Sequence, residues 1–187
     1  MEIQMEELKR LEEVMVKSED IFDGHILHVK FDTVMLPNGN EATRELIRHI
    51  GAVAVVPLTD DGKVIVERQF RYPLGQVITE IPAGKLDSFD EDRLEACKRE
   101  LREETGYVAD EWTELGDYLP AAAYTDERIT LYLATGLRKG ERELDEDEFL
   151  DVVEVPLVDL VKDIALGKIT DGKTQVAILK TYLLLKE

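Results

Sequence analysis

The sequence predicts one α/β domain with a mixed sheet and its helices on the outside, on three observations. Short strand-like apolar runs succeed one another from residue 29 to residue 155. A strongly marked helix interrupts them after residue 88, and two further helical runs close the chain. The apolar 44% of the 187 residues is scattered, with no run of about 18 that a membrane span needs, so it suits a core.

Met1 to Asp20 is charged and helix-like rather than signal-like, so it reads as an arm outside the core, and secretion is not expected. Val29 to Leu36 and Glu41 to Ile50 flank Pro37-Asn38-Gly39-Asn40, which is a hairpin signal. Gly51 to Leu58 is a buried-strand run, and Asp60-Asp61-Gly62 turns the chain into a second strand, Lys63 to Phe70. Val77 to Ile81 is another short strand that leads into a loop at Pro82-Ala83-Gly84.

The marked helix follows. Ser88-Phe89-Asp90-Glu91 has the form of a capping box, and Gly106 suits the left-handed position just past a helix end. Leu94, Cys97 and Leu101 recur at helical spacing as an apolar stripe. Strand-like runs resume at Trp112 to Leu119, Arg128 to Leu137 and Asp151 to Val155, with Gly140 to Glu148 a charged loop expected to be mobile. Pro156 to Leu166 and Thr170 to Lys186 read as helices, the first closed by Gly167 and the second capped by Thr170 or Asp171.

A net charge of −18 argues against nucleic acid and anionic membranes as partners. It would also repel an anionic substrate, unless bound divalent cations and a few placed arginines reverse the field locally. Cys97 is the only cysteine, which fits a small core residue in a reducing, cytoplasmic setting. His25, His28 and His49 show no metal spacing.

Glu100, Glu103 and Glu104 stand at i, i+3 and i+4, so a helix projects all three from one narrow face. Like charges at that spacing repel by a few tenths of a kcal/mol per pair. Any one of them alone would read as a solvated surface acid. Three together beside an apolar stripe ask for a positive partner, and oxygen-only ligands suit a hard divalent cation such as Mg²⁺.

Gly84…Glu91…Arg99-Glu100-Leu101-x-Glu103-Glu104-x-Gly106-Tyr107 resembles the Nudix box, G-x5-E-x7-R-E-U-x-E-E-x-G-U. Every position from Glu91 onward keeps the spacing, while six residues rather than five separate Gly84 from Glu91. The segments GAVAVVPL, ERQFRYPLG, EIPAGKLD, DERITLYLA and LDEDEFLDVVEV extend the resemblance to the ADP-ribose pyrophosphatase and nucleotide-sugar hydrolase branch. Ile50 stands where proline is common, and Ala121-Ala122-Ala123-Tyr124 replaces a more usual Ser-Pro-Gly-Phe.

The resemblance implies a Nudix-type α/β/α sandwich over residues 49–187, with residues 1–48 as an N-terminal β-hairpin arm and dimerisation element. It implies Mg²⁺, or Mn²⁺, held by Glu100, Glu103, Glu104 and the carbonyl of Ala83. Arg99 would orient those carboxylates, Glu103 would share in catalysis, and Glu148, with Glu146 second, would serve as general base. Arg44, Arg71 and Glu80 would contact a nucleoside diphosphate-linked substrate. Tyr118, Tyr124 and Trp112 are candidates to stack on adenine, although aromatics on strands are more often core. The expected reaction is hydrolysis of ADP-ribose to AMP and ribose 5-phosphate by a homodimer. Another nucleotide sugar, a dinucleotide, or a silent ADP-ribose-sensing domain are the alternatives, the last opposed by the intact glutamates.

Overall fold

The computed structural model describes residues 8–144 and 148–186, which divide into two units. The first comprises the chain up to His49 together with 121–127. Its strands β1 (Val14–Asp23), β2 (His28–Met35) and β3 (Glu41–Arg48) form an antiparallel sheet in the order β1-β2-β3. The hairpin read around Asn38-Gly39 is present as β2 and β3, with Val34 opposite Ala42. The helix-like reading of the N-terminus is corrected over Val14 to Asp20, which is strand. Val14, Met15 and Val16 favour an extended pleat, and eight register pairs with β2 outweigh the charge pattern that suggested a helix. The later segment joins through Ile47, whose N–H donates to Tyr124 O at 2.8 Å, and through an Arg48–Asp126 ion pair at 2.9 Å.

The second unit comprises 50–120 and the chain from Arg128 onward. Its mixed sheet runs β7 (Ala83–Lys85), β4 (Ala52–Pro57), β9 (Ile129–Lys139), β8 (Tyr107–Tyr118), with β4 and β9 parallel. A second, antiparallel sheet runs β10 (Leu150–Pro156), β5 (Lys63–Arg71), β6 (Gln76–Glu80). The turn at Asp60-Asp61-Gly62 therefore carries the chain from one sheet to the other, with Leu58 and Val64 bridged beside it.

Every residue of β4 is buried, which its continuous apolar run requires of a strand covered on both faces. On one face Ala54 and Val56 pack with Leu131, Leu133, Leu160 and Ile178, beneath α2 (Leu157–Ala165) and α3 (Gly172–Leu184). On the other, Val53 and Val55 meet Cys97 and Leu101 of α1 (Arg93–Thr105). Helices thus cover both faces, as a sandwich requires.

Three local expectations change. Pro82-Ala83-Gly84 is not all loop, because Ala83 and Gly84 pair with Ala54 and Val53 as strand β7. Strand β8 starts at Tyr107, five residues earlier than read, directly after the helix stop. The helix begins at Arg93 with Asp92 as its cap, not at Ser88. Asp92 Oδ1 accepts from the N–H groups of Leu94 and Glu95, each at 3.0 Å, whereas Glu91 turns back to accept from Asp87 N–H at 2.6 Å. Glu91 so closes the loop that holds the extra residue.

Candidate functional site

Helix α1 carries its chemistry on the edge beside its packed stripe. Asp92 satisfies two of the free N–H groups at its start, and Gly106, at φ 74°, ends it with an N–H donated to Arg102 O at 2.8 Å. Between them Glu100 and Glu104 turn toward strand β7. Glu104 is 6% exposed, and its Oε2 accepts from Ala83 N–H at 3.0 Å. Glu100 lies over Gly84, where an added Cβ would overlap its carboxylate, so glycine is what lets Glu100 take this position. Arg99 gathers the remaining acids. Its Nη1 donates to Glu100 at 2.8 Å and Glu103 at 3.2 Å, and its Nη2 to Glu91 at 3.3 Å.

The second sheet supplies a facing set of polar groups. Glu67 on β5 and Glu80 on β6 are register partners, 3% and 4% exposed. Glu80 accepts from Arg71 Nε at 2.7 Å and from Lys173, which also pairs with Asp171 at 3.1 Å. Glu67 differs in that its buried Oε1 has no partner among the described residues. Burial raises the proton affinity of Glu67, and of Glu104, on which the charge of Glu67 acts more strongly than any other. Burial likewise lifts Glu100 to about 7, against the opposing pull of Arg99.

The loop after β9 is tied to the C-terminal end of α1. Gly140 N–H donates to Gly106 O at 2.5 Å and Glu143 N–H to Glu103 O at 3.2 Å. Arg142 donates through Nε to Glu104 O at 2.6 Å and through Nη2 to Leu150 O at 3.1 Å, so it joins both legs of the loop to the helix. Glu148, on the second leg, is half-buried and acts electrostatically on Glu67, Glu100 and Glu104. It also borders a groove of about 410 Å³ with Phe70, Val77 and Phe149.

The structure thus brings together Glu67, Glu80, Ala83, Arg99, Glu100, Glu103, Glu104, Arg71 and Glu148. Arg44 belongs to the first unit, where its Nε donates to Glu13 at 2.9 Å. Glu146 lies outside the described residues. Trp112 packs edge-on against Tyr132 with centroids 6.3 Å apart, and Tyr118 packs against the core, while Tyr124 is exposed in the first unit. Glu67, Arg142 and Lys173 escape sequence reasoning. A signal existed for Glu67 alone, in the i, i+2, i+4 row Glu67, Gln69, Arg71 on one face of a strand.

A divalent cation fits this donor set. Glu67, Glu100 and Glu104 are partly or wholly buried, with an orphan oxygen on Glu67 among the described residues, and such burial costs several kcal/mol per ion unless it is compensated. Among the described residues, no three His, Cys, Asp or Glu side chains stand ready around one point. Glu104 is turned to Ala83 N–H and Glu100 to Arg99, contacts that ligation would exchange.

A family model described as NUDIX domain matches residues 48–174. A Bacillus subtilis (strain 168) protein named ADP-ribose pyrophosphatase is 44% identical over 182 residues, which cover 96% of this chain and 97% of that one. A Bacillus methanolicus protein named methanol dehydrogenase activator is 42% identical over 181 residues, or 96% of each chain. A crystal structure of an ADP compounds hydrolase matches with a TM-score of 0.83, over 94% of this chain and 95% of that one. At 24% identity that match speaks to the fold alone.

Proposed function

Because the chain belongs to the Nudix family, we propose that it is a hydrolase that splits ADP-ribose into AMP and ribose 5-phosphate with the help of Mg²⁺ or Mn²⁺. The observation that carries this reading is the placement of Glu104 on Ala83 and of Glu100 over Gly84, Glu100 being held by Arg99, on the helix that bears the family motif. The Bacillus subtilis relative, alike over nearly its whole length, supports the substrate.

Glu100, Glu103, Glu104 and the Ala83 carbonyl would hold the metal. When bound, a divalent cation neutralises diphosphate oxygens and makes water a better nucleophile near neutral pH. The rest falls to side chains. Arg99 fixes the orientation of Glu100 and Glu103 by charge-assisted bonds. Arg71 and Arg44 are the proposed guanidinium contacts to the diphosphate, Arg71 being aimed by Glu80. Glu148 is the proposed base that takes the proton of the attacking water, with Glu146 second. We further propose a homodimer in the cytoplasm, supported by the exposed Val14, Val16, Ile21 and Phe22 of β1 and by the lone, buried Cys97.

A substrate panel with product identification tests the reading. AMP should appear from ADP-ribose with Mg²⁺ and vanish with EDTA. Preferential cleavage of another nucleotide sugar or a dinucleotide would keep the chemistry and replace the substrate. Tight ADP-ribose binding without product over hours would make the domain a sensor.

A further inference from the structure

Glu67 is the acid in this site that neither the helix motif nor a salt bridge explains. It lies midway along β5, 3% exposed, between Val66 and Arg68, and its Oε1 meets no donor among the described residues. Its register partner Glu80 is equally buried but fully engaged, by Arg71 and by Lys173. The cations that act on Glu67 are held elsewhere. Arg142 donates to the carbonyls of Glu104 and Leu150, and Lys173 pairs with Glu80 and Asp171. A buried acid whose charge acts on Glu104, and which has no hydrogen on offer to that oxygen among the described residues, is suited to a positive ligand of its own.

We propose that Glu67 is an additional ligand, contributed by the sheet rather than by the helix, for a divalent cation shared with Glu104. The proposal rests on the metal-dependent reading above and extends it to a second wall of the site. The chemistry matches: Mg²⁺ and Mn²⁺ favour carboxylate oxygens in near-octahedral surroundings, which leave positions for a donor besides those of the helix. Glu67 stands on β5 and Glu104 on α1, so the two carboxylates come from separate elements. Metal binding would also release protons, since ligation requires both carboxylates ionised.

Titration of the full-length protein with Mn²⁺, followed by electron paramagnetic resonance, tests this, together with melting curves with and without Mg²⁺. Neither readout depends on turnover. Glu67→Gln should bind Mn²⁺ at least about 10-fold more weakly than wild type. Its metal-free melting temperature should equal or exceed that of wild type, because an uncompensated buried carboxylate is gone, and its gain with Mg²⁺ should be smaller. Wild-type affinity and an unchanged Mg²⁺ gain in Glu67→Gln would overturn the inference and leave the helix ligands standing. Failure of wild type itself to take up Mn²⁺ would overturn the metal reading and this inference with it. Should Glu67→Gln not fold, Glu67→Met removes the carboxylate at similar length among the apolar residues of β5, and wild-type affinity in that variant would overturn the proposal equally.

Discussion

At Gly84 a side chain is missing because the Glu100 carboxylate occupies its space. Gly84→Ala should displace Glu100 and cut turnover by about 10- to 100-fold, as changes beside metal ligands do, with the fold intact by circular dichroism. The buried acids also set a pH dependence. Glu100 holds its proton up to about 7, against 4.5 in the unfolded chain, and burial shifts Glu67 and Glu104 in the same direction. Below 4.5 folded and unfolded states are both protonated, so the contribution of these groups to stability is fully present. As pH rises through 7 the unfolded chain has released its protons and the folded chain must ionise buried carboxylates, so that contribution is lost. Metal-free protein should therefore lose melting temperature between pH 5 and 8, and Mg²⁺ should restore more of it at pH 8. Equal Mg²⁺ gains at both pH values would contradict this. Glu100, Glu103 and Glu104 were legible in the sequence because helical spacing alone puts them on one face. Glu67 carried only the weaker signal of its alternation with Gln69 and Arg71, and gains its meaning from β5 pairing with β6.

Elements position these residues. Asp92, rather than Ser88, caps α1, and Asp92→Ala should cost about 1 kcal/mol in chemical denaturation while Ser88→Ala costs little. Both serine and aspartate suit a cap, and the capping-box pattern at Ser88 drew the reading four residues too early. The structure selects Asp92 because Glu91 is drawn away to Asp87 and Arg99. Arg142 joins the two legs of the loop bearing Glu148 to the end of α1. Arg142→Ala should lower kcat about 10-fold or more with little change in KM, by loosening the proposed base rather than the substrate contacts. An unchanged kcat would show that the loop holds its place without the guanidinium. Nothing in the run GERELDEDE marks Arg142 out from its neighbours, since its partners are backbone carbonyls, which leave no trace in sequence.

Over the whole molecule the order of strands and helices was readable wherever apolar runs were long and turns carried glycine, as in the β2–β3 hairpin and the fully buried β4. The N-terminus misled because its charges obscure Val14-Met15-Val16, and pairing with β2 decides its structure. The division into two sheets was hidden for a related reason, since a turn looks alike whether it joins neighbours or crosses between layers. The exposed apolar side chains of β1 should be covered in solution by a second copy, giving a dimer by analytical ultracentrifugation; a monomer would contradict that proposal. A chain of net charge −18 that cleaves an anionic diphosphate must rely on local positive charge, and the central claim is that Glu100 and Glu104 recruit it as a divalent metal. The most direct test is the initial rate of AMP release from ADP-ribose at saturating Mg²⁺, wild type against folded Glu104→Gln. A loss of about 100-fold or more is expected; wild-type turnover by that variant would show that Glu104 holds no metal that the reaction needs.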